Sequence, residues 1–150
     1  TKHQRVSLKL TIALAVYLKE RPMGEVFAAP FDTVFSNYDI VEPDLLYISR
    51  GRAAVLTDQH VRGAPDLVVE ILSPSTRKTD EATKRRLYER FGVAEYWIVD
   101  PKLETIKIYR RANEAFVRAA ELSAERGDVL TTPLLPEFSA TLAEVFAPPL

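Results

Sequence analysis

The stretch Pro65-Asp66-Leu67-Val68-Val69-Glu70-Ile71-Leu72 constrains this chain more than any other. A continuous apolar run of strand length is the pattern of a strand covered on both faces, and covering both faces requires a layered domain. The same run carries a carboxylate near its end. An unpaired buried carboxylate is costly, so Glu70 must be protonated, paired with a base or bound to a cation. Strand alternation sets Asp66, Val68 and Glu70 on one face and Leu67, Val69 and Ile71 on the other. A structural ion pair and a metal-binding carboxylate both satisfy this run, and the run alone does not choose between them.

The surrounding sequence supplies the layers. Val6, Leu10, Ala13, Leu14 and Tyr17 recur at helical spacing and predict a helix over 3–20. Leu8, Ile12 and Ala15 make its opposite side apolar too, which predicts burial on more than one face. Strands are expected over 25–29 and 31–36, bent at Pro30, and a further strand over 40–49. Residues 50–64 read as a loop with a short helical turn. After the central run, Thr79 is a candidate N-cap for a helix ending at Phe91, with Gly92 as its stop. Strands follow over 95–99 and 105–110, the second pairing with 115–119 as a hairpin. A short helix is expected near 141–146. The whole reads as a mixed α/β domain with one central sheet flanked by helices.

Composition narrows the function classes. With 150 residues the chain has the length of one domain and can bury a core without covalent staples. It has no cysteine, which excludes a disulfide framework and any Cys-based metal site and fits a cytoplasmic setting. The first apolar stretch, 6–18, contains Lys9, is shorter than the roughly 20 residues a membrane span needs, and lacks a cleavage pattern. No membrane association is expected. A net charge of −1 argues against a protein that coats nucleic acid, but leaves room for a locally basic surface. His3 and His60 are isolated, so no zinc site is expected. No glycine-rich phosphate loop and no nucleophile elbow is present.

Two further residues draw attention. Asp44, in Glu42-Pro43-Asp44-Leu45, opens the apolar part of its strand and by itself reads as an exposed residue after a proline. Lys84 lies with Leu87, Tyr88 and Phe91 at i, i+3, i+4 and i+7, on the inward stripe of its helix. Asp80 is one turn earlier on the same stripe, while Arg85, Arg86 and Glu89 take the outer face. Lys84 is either a snorkelling lysine at the core edge or a functional group, and in both cases a natural partner for Glu70.

Taken together, "EPDLLYIS" with Asp44, "GAPDLVVEILSPST" with Glu70, "TDEATKRRLYERFGV" with Lys84 and Tyr88, and "AEYWIVDP" resemble the Uma-two family of predicted restriction endonucleases, within the PD-(D/E)XK nuclease superfamily. The resemblance covers about residues 3–146 and is most specific over 64–101. It implies a restriction-endonuclease-like core: a helix, a three-stranded antiparallel meander, a helix and a further strand. It implies one nuclease-like domain over 1–150, short of an N-terminal segment that the family usually carries. Asp44 would be the aspartate of the Pro-Asp motif and Glu70 the acidic residue of the (D/E)XK motif. Leu72 stands where the superfamily has its lysine, and Lys84 on the next helix looks like a relocated equivalent.

The expected activity is therefore metal-dependent hydrolysis of nucleic-acid phosphodiesters, DNA first among them. Asp44, Glu70 and the Ile71 carbonyl would hold Mg²⁺ or Mn²⁺, because hard oxygen ligands suit those ions. Lys84 would orient water or stabilise developing charge. Asp66, Asp80 and Tyr88 are candidate supporting residues, and for Asp66 a plain strand-opening role is the simpler reading. Arg77, Lys78 and Arg85 are candidate phosphate contacts, alongside Arg86 and Arg90, although a solvated helix face explains them equally. Tyr96 and Trp97 lie in a buried strand pattern, at least one of them core. Cutting two strands would call for a homodimer. The competing readings are a catalytically silent nuclease fold that keeps a nucleic-acid or protein-binding surface, with Glu70 and Lys84 as a structural pair, and a hydrolase of small phosphate esters.

Overall fold

A computed structural model describes residues 1–75 and 81–149 of the chain. The elements run α1 (Lys2–Glu20), β1 (Gly24–Ala28), β2 (Thr33–Val34), β3 (Ile40–Val41), β4 (Leu45–Ser49), a 3₁₀ turn (Arg50–Val55), β5 (Val61–Arg62) and β6 (Leu67–Ile71). After these come α2 (Glu81–Phe91), β7 (Glu95–Asp100), β8 (Thr105–Ala112), β9 (Ala115–Ser123), β10 (Val129–Leu130), β11 (Ala140–Thr141) and α3 (Leu142–Val145). Six of the strands form one sheet in the order β1-β4-β6-β7-β8-β9. Among the described residues its only parallel pair is β6 with β7, and the other neighbours are antiparallel. A parallel pair cannot be closed by a hairpin, and here the crossover is α2. The arrangement is the mixed sheet flanked by helices that the sequence predicts.

Every residue of β6 is buried, as its composition requires. The alternation read from the sequence holds. Leu67, Val69 and Ile71 join Leu10, Leu14, Trp97 and Val99 in the core beneath α1. Val68 faces the other way, into a second core with Tyr88 of α2, Tyr96 and Ile98. Trp97 and Tyr96 are both fully buried, on opposite faces of β7. At the end of α2, Gly92 takes a φ of 92°, the left-handed conformation that glycine adopts without strain, and the Val93 N–H donates to the Tyr88 carbonyl at 3.1 Å.

The structure corrects three expectations. The predicted strand over 40–49 is two strands: β3 pairs with β2 in a small separate sheet, while β4 pairs with β1 and β6 in the main one. The break falls at Pro43, whose nitrogen has no proton to give to a ladder. The second apolar face of α1 is not buried: Leu8, Ile12 and Val16 are 60 %, 52 % and 55 % exposed. On α2, Arg85 and Glu89 are not free surface residues. The Glu89 carboxylate accepts from the Phe116 N–H at 2.6 Å, and Arg85 stacks on Tyr109. Smaller shifts concern strand length, since the β8–β9 hairpin is longer than predicted and β2 shorter. The proposed cap Thr79 lies outside the described residues.

Candidate active site

Glu70 sits on β6 opposite Ile98 of β7. The antiparallel pair Leu45–Val69 next to it sets Asp44, just before β4, at the level of Glu70. Asp44 Oδ2 accepts from the Ile71 N–H at 2.7 Å, which ties the carboxylate to the end of β6. Lys84, on the first half of α2, brings Nζ to 3.2 Å from Glu70 Oε2. The Tyr88 hydroxyl, one turn later and wholly buried, donates to the same oxygen at 2.6 Å. Asp44, Glu70, Ile71 and Lys84 line one cleft of about 400 Å³. Sheet register and helix periodicity thus bring together residues far apart in the chain.

The cleft is acidic. Glu42, Asp44, Glu70, Glu81 and Asp100 line it, against Lys84, Lys107 and His3. Two of these charges pair with each other, Lys107 and Glu81, 3.6 Å apart. Burial pushes the Glu70 carboxyl above the ordinary glutamate range; the charge of Asp44 adds to that rise, and Lys84 and Tyr88 oppose it. The Tyr88 and Tyr96 hydroxyls are pushed up as well, by burial first and by the Glu70 charge second. The surroundings of Glu70 therefore oppose one another: burial and Asp44 disfavour the charged form, Lys84 and Tyr88 favour it.

Glu81, Asp100 and Lys107 line the cleft without having been singled out in the sequence, and so does a residue in contact with Asp44. His3, in the first turn of α1, places Nε2 at 3.1 Å from Asp44 Oδ1. Nothing local marks it, because the contact depends on α1 lying across the sheet. Other candidates are elsewhere. Asp66 is at the opposite end of β6, where Oδ2 accepts from the Ser49 N–H at 2.7 Å and Oδ1 lies 3.6 Å from Arg52 Nε. It does not line the cleft. Arg85 donates to the Tyr109 hydroxyl at 3.0 Å with its guanidinium 5.0 Å over that ring, and is also absent from the lining. Arg77, Lys78 and Asp80 lie outside the described residues. The His60 Nε2 is buried and without a hydrogen-bond partner among the described residues.

Among the described residues no three His, Asp or Glu side chains converge into a ready cation cage. The donor set is smaller: two carboxylates at the end of adjacent strands, in a cleft with excess negative charge. Such a pair suits a hard divalent cation that keeps several of its waters. No helix of the described residues is long and apolar enough to cross a membrane.

Known proteins resemble this chain in sequence pattern and fold. The Uma2 family, described as "Putative restriction endonuclease", matches residues 1–143. The crystal structure of a "putative nuclease belonging to DUF820" from Anabaena variabilis superposes with a TM-score of 0.79 at 18 % identity, over 98 % of this chain and 81 % of that one. The type IIG restriction endonuclease BpuSI gives a TM-score of 0.49 at 18 % identity, over 96 % of this chain and 15 % of that one. None of the curated proteins matches the chain.

Proposed function

The chain belongs to the Uma2 family of restriction-endonuclease-like proteins, and from that premise we propose that it is a cytoplasmic, metal-dependent endonuclease hydrolysing phosphodiester bonds of nucleic acid, DNA first among them. One observation carries the reading. Asp44 and Glu70, from neighbouring strands, and Lys84, from the helix that follows, line a single cleft, with Lys84 in contact with Glu70.

In this reading Asp44, Glu70 and the Ile71 carbonyl hold Mg²⁺ or Mn²⁺. When bound, the cation supplies neutralisation of phosphate charge and acidification of water. The chain's own groups do the rest. The Ile71 N–H and the Tyr88 hydroxyl each fix one carboxylate oxygen, so neither acid has to be ordered as substrate arrives. Lys84, with its side chain 39 % exposed, has room to turn an N–H toward a phosphate oxygen or an attacking water while its stem stays anchored. Cutting both strands of a duplex calls for two such sites, which a homodimer would supply; sedimentation with and without duplex reads that directly.

A second reading has its own support. Glu70 Oε2 already accepts from both Tyr88 and Lys84, which is also how a silent fold would neutralise a buried acid. Calorimetric titration of Mn²⁺ into wild type and Glu70→Gln, with cleavage of plasmid and single-stranded DNA followed in parallel, separates the two. The endonuclease reading expects saturable binding and cleavage, both lost in the variant. Binding and cleavage absent from wild type itself would leave the silent fold.

A further inference from the structure

Because β6 and β7 are parallel, the chain leaves both strands on the same side of the sheet. After β6 it continues as Leu72-Ser73-Pro74, and after β7 as Pro101-Lys102. The start of α1 closes over this exit, the Lys2 ammonium donating to the Pro101 carbonyl at 3.4 Å. The three segments enclose a groove of about 410 Å³, walled by Lys2, Leu72, Pro74, Pro101 and Lys102. It shares His3, Leu72 and Ser73 with the acidic cleft, so the two lie side by side. Its volume falls within the roughly 300–1,000 Å³ of small-ligand sites.

The two halves differ in charge. The cleft collects five carboxylates, whereas the groove has no carboxylate among the described residues that line it and carries two exposed lysines. Neither lysine has an ion-pair partner among the described residues. Leu72, Pro74 and Pro101 supply its apolar surface, and His3 and Ser73 stand on the side it shares with the cleft. We propose that this groove binds one unpaired nucleotide of the substrate strand, next to the scissile phosphate, its base against Leu72, Pro74 and Pro101 and its flanking phosphates on Lys2 and Lys102. The assignment rests on the nuclease reading and adds a substrate class to it. A base inside a duplex has its faces covered by its neighbours and cannot lie on such a surface. The substrate favoured is therefore a single strand, a flap or a frayed end.

Fluorescence anisotropy tests this on the full chain with Ca²⁺ present, using a short labelled single strand and a duplex of the same sequence over a range of salt. Wild type is expected to bind the single strand more tightly than the duplex. Lys2→Gln and Lys102→Gln should each lower the slope of log K against log salt by about 0.7, the single-strand value per phosphate contact. Pro74→Glu should weaken the single strand about tenfold and leave the duplex unchanged. Binding with slopes unaltered in both lysine variants, or equal affinity for duplex and single strand, overturns the groove assignment and leaves the nuclease reading standing. No binding of either nucleic acid by wild type overturns both.

Discussion

Glu70 holds its position against electrostatics. Burial raises its pKa above the ordinary glutamate value, and the partners that lower it, Lys84 first and Tyr88 second, do not cancel the rise. In metal-free protein the sign of the stability effect follows. Below the ordinary carboxylate range Glu70 is neutral in both folded and unfolded chain, and contributes no penalty. As pH rises from that range through the higher folded pKa, the unfolded chain releases its proton first, so stability falls, and the loss is complete above the folded pKa. Glu70→Gln keeps an acceptor for Tyr88 and removes the charge, while Lys84 has solvent to turn to. It should be more stable than wild type at neutral pH and equal to it in acid, by urea denaturation at both. Lower stability of the variant at neutral pH would show that the Lys84 pair outweighs desolvation. At this scale the residues legible in the sequence were those whose oddness is local: an acid in an apolar run, a lysine on an apolar stripe. Asp44 needed a family pattern to stand out, and His3 became visible only through α1's placement over the sheet.

Among the elements, β1 and α1 show what sequence patterning can and cannot convey. Gly24 opens β1 where a Cβ would stand 2.4 Å from the Ile48 carbonyl and 2.6 Å from the Tyr47 ring. Gly24→Ala must therefore push β1 off β4 or displace Tyr47, whose hydroxyl donates to the Met23 carbonyl at 3.2 Å. A loss of about 1–3 kcal/mol is expected in chemical denaturation, the usual cost of overpacking; no loss would mean that the edge strand shifts freely. On α1 the helix itself was legible, but periodicity reports which faces are apolar and not which are covered. Leu10 is fully buried and Ile12 is 52 % exposed on the same helix. Leu10→Ala should cost about 2–5 kcal/mol, and Ile12→Lys no more than about 0.5 kcal/mol, when their denaturation midpoints are compared. A large effect at Ile12 would reveal a contact covering that face in solution. The split of 40–49 was hidden for a related reason: Pro43 marks a break, but only tertiary pairing decides that its two sides join different sheets.

For the whole molecule, a net charge of −1 conceals a sharp internal separation. Five carboxylates line the cleft against Lys84 and Lys107, while Lys2 and Lys102 stand in the groove beside it, so charge is unevenly spread over the surface. An acidic cleft is a poor host for a phosphodiester until something neutralises it, and in the proposed function that is a divalent cation held by Asp44 and Glu70. Such a cation binds the folded chain and not the unfolded one, since only folding brings the two strands together. Stability must then rise with cation concentration, by about 2.7 kcal/mol at a hundred times the dissociation constant. For a chain of this size that corresponds to a melting-temperature increase of roughly 5–10 °C. Wild type should show this shift with Mn²⁺ in differential scanning calorimetry. Asp44→Asn should not, although it retains an oxygen for the Ile71 N–H and so keeps the strand contact. A shift of equal size in both proteins would place the cation elsewhere, and no shift in wild type would leave the acidic cleft without the counter-charge that phosphodiester cleavage there requires.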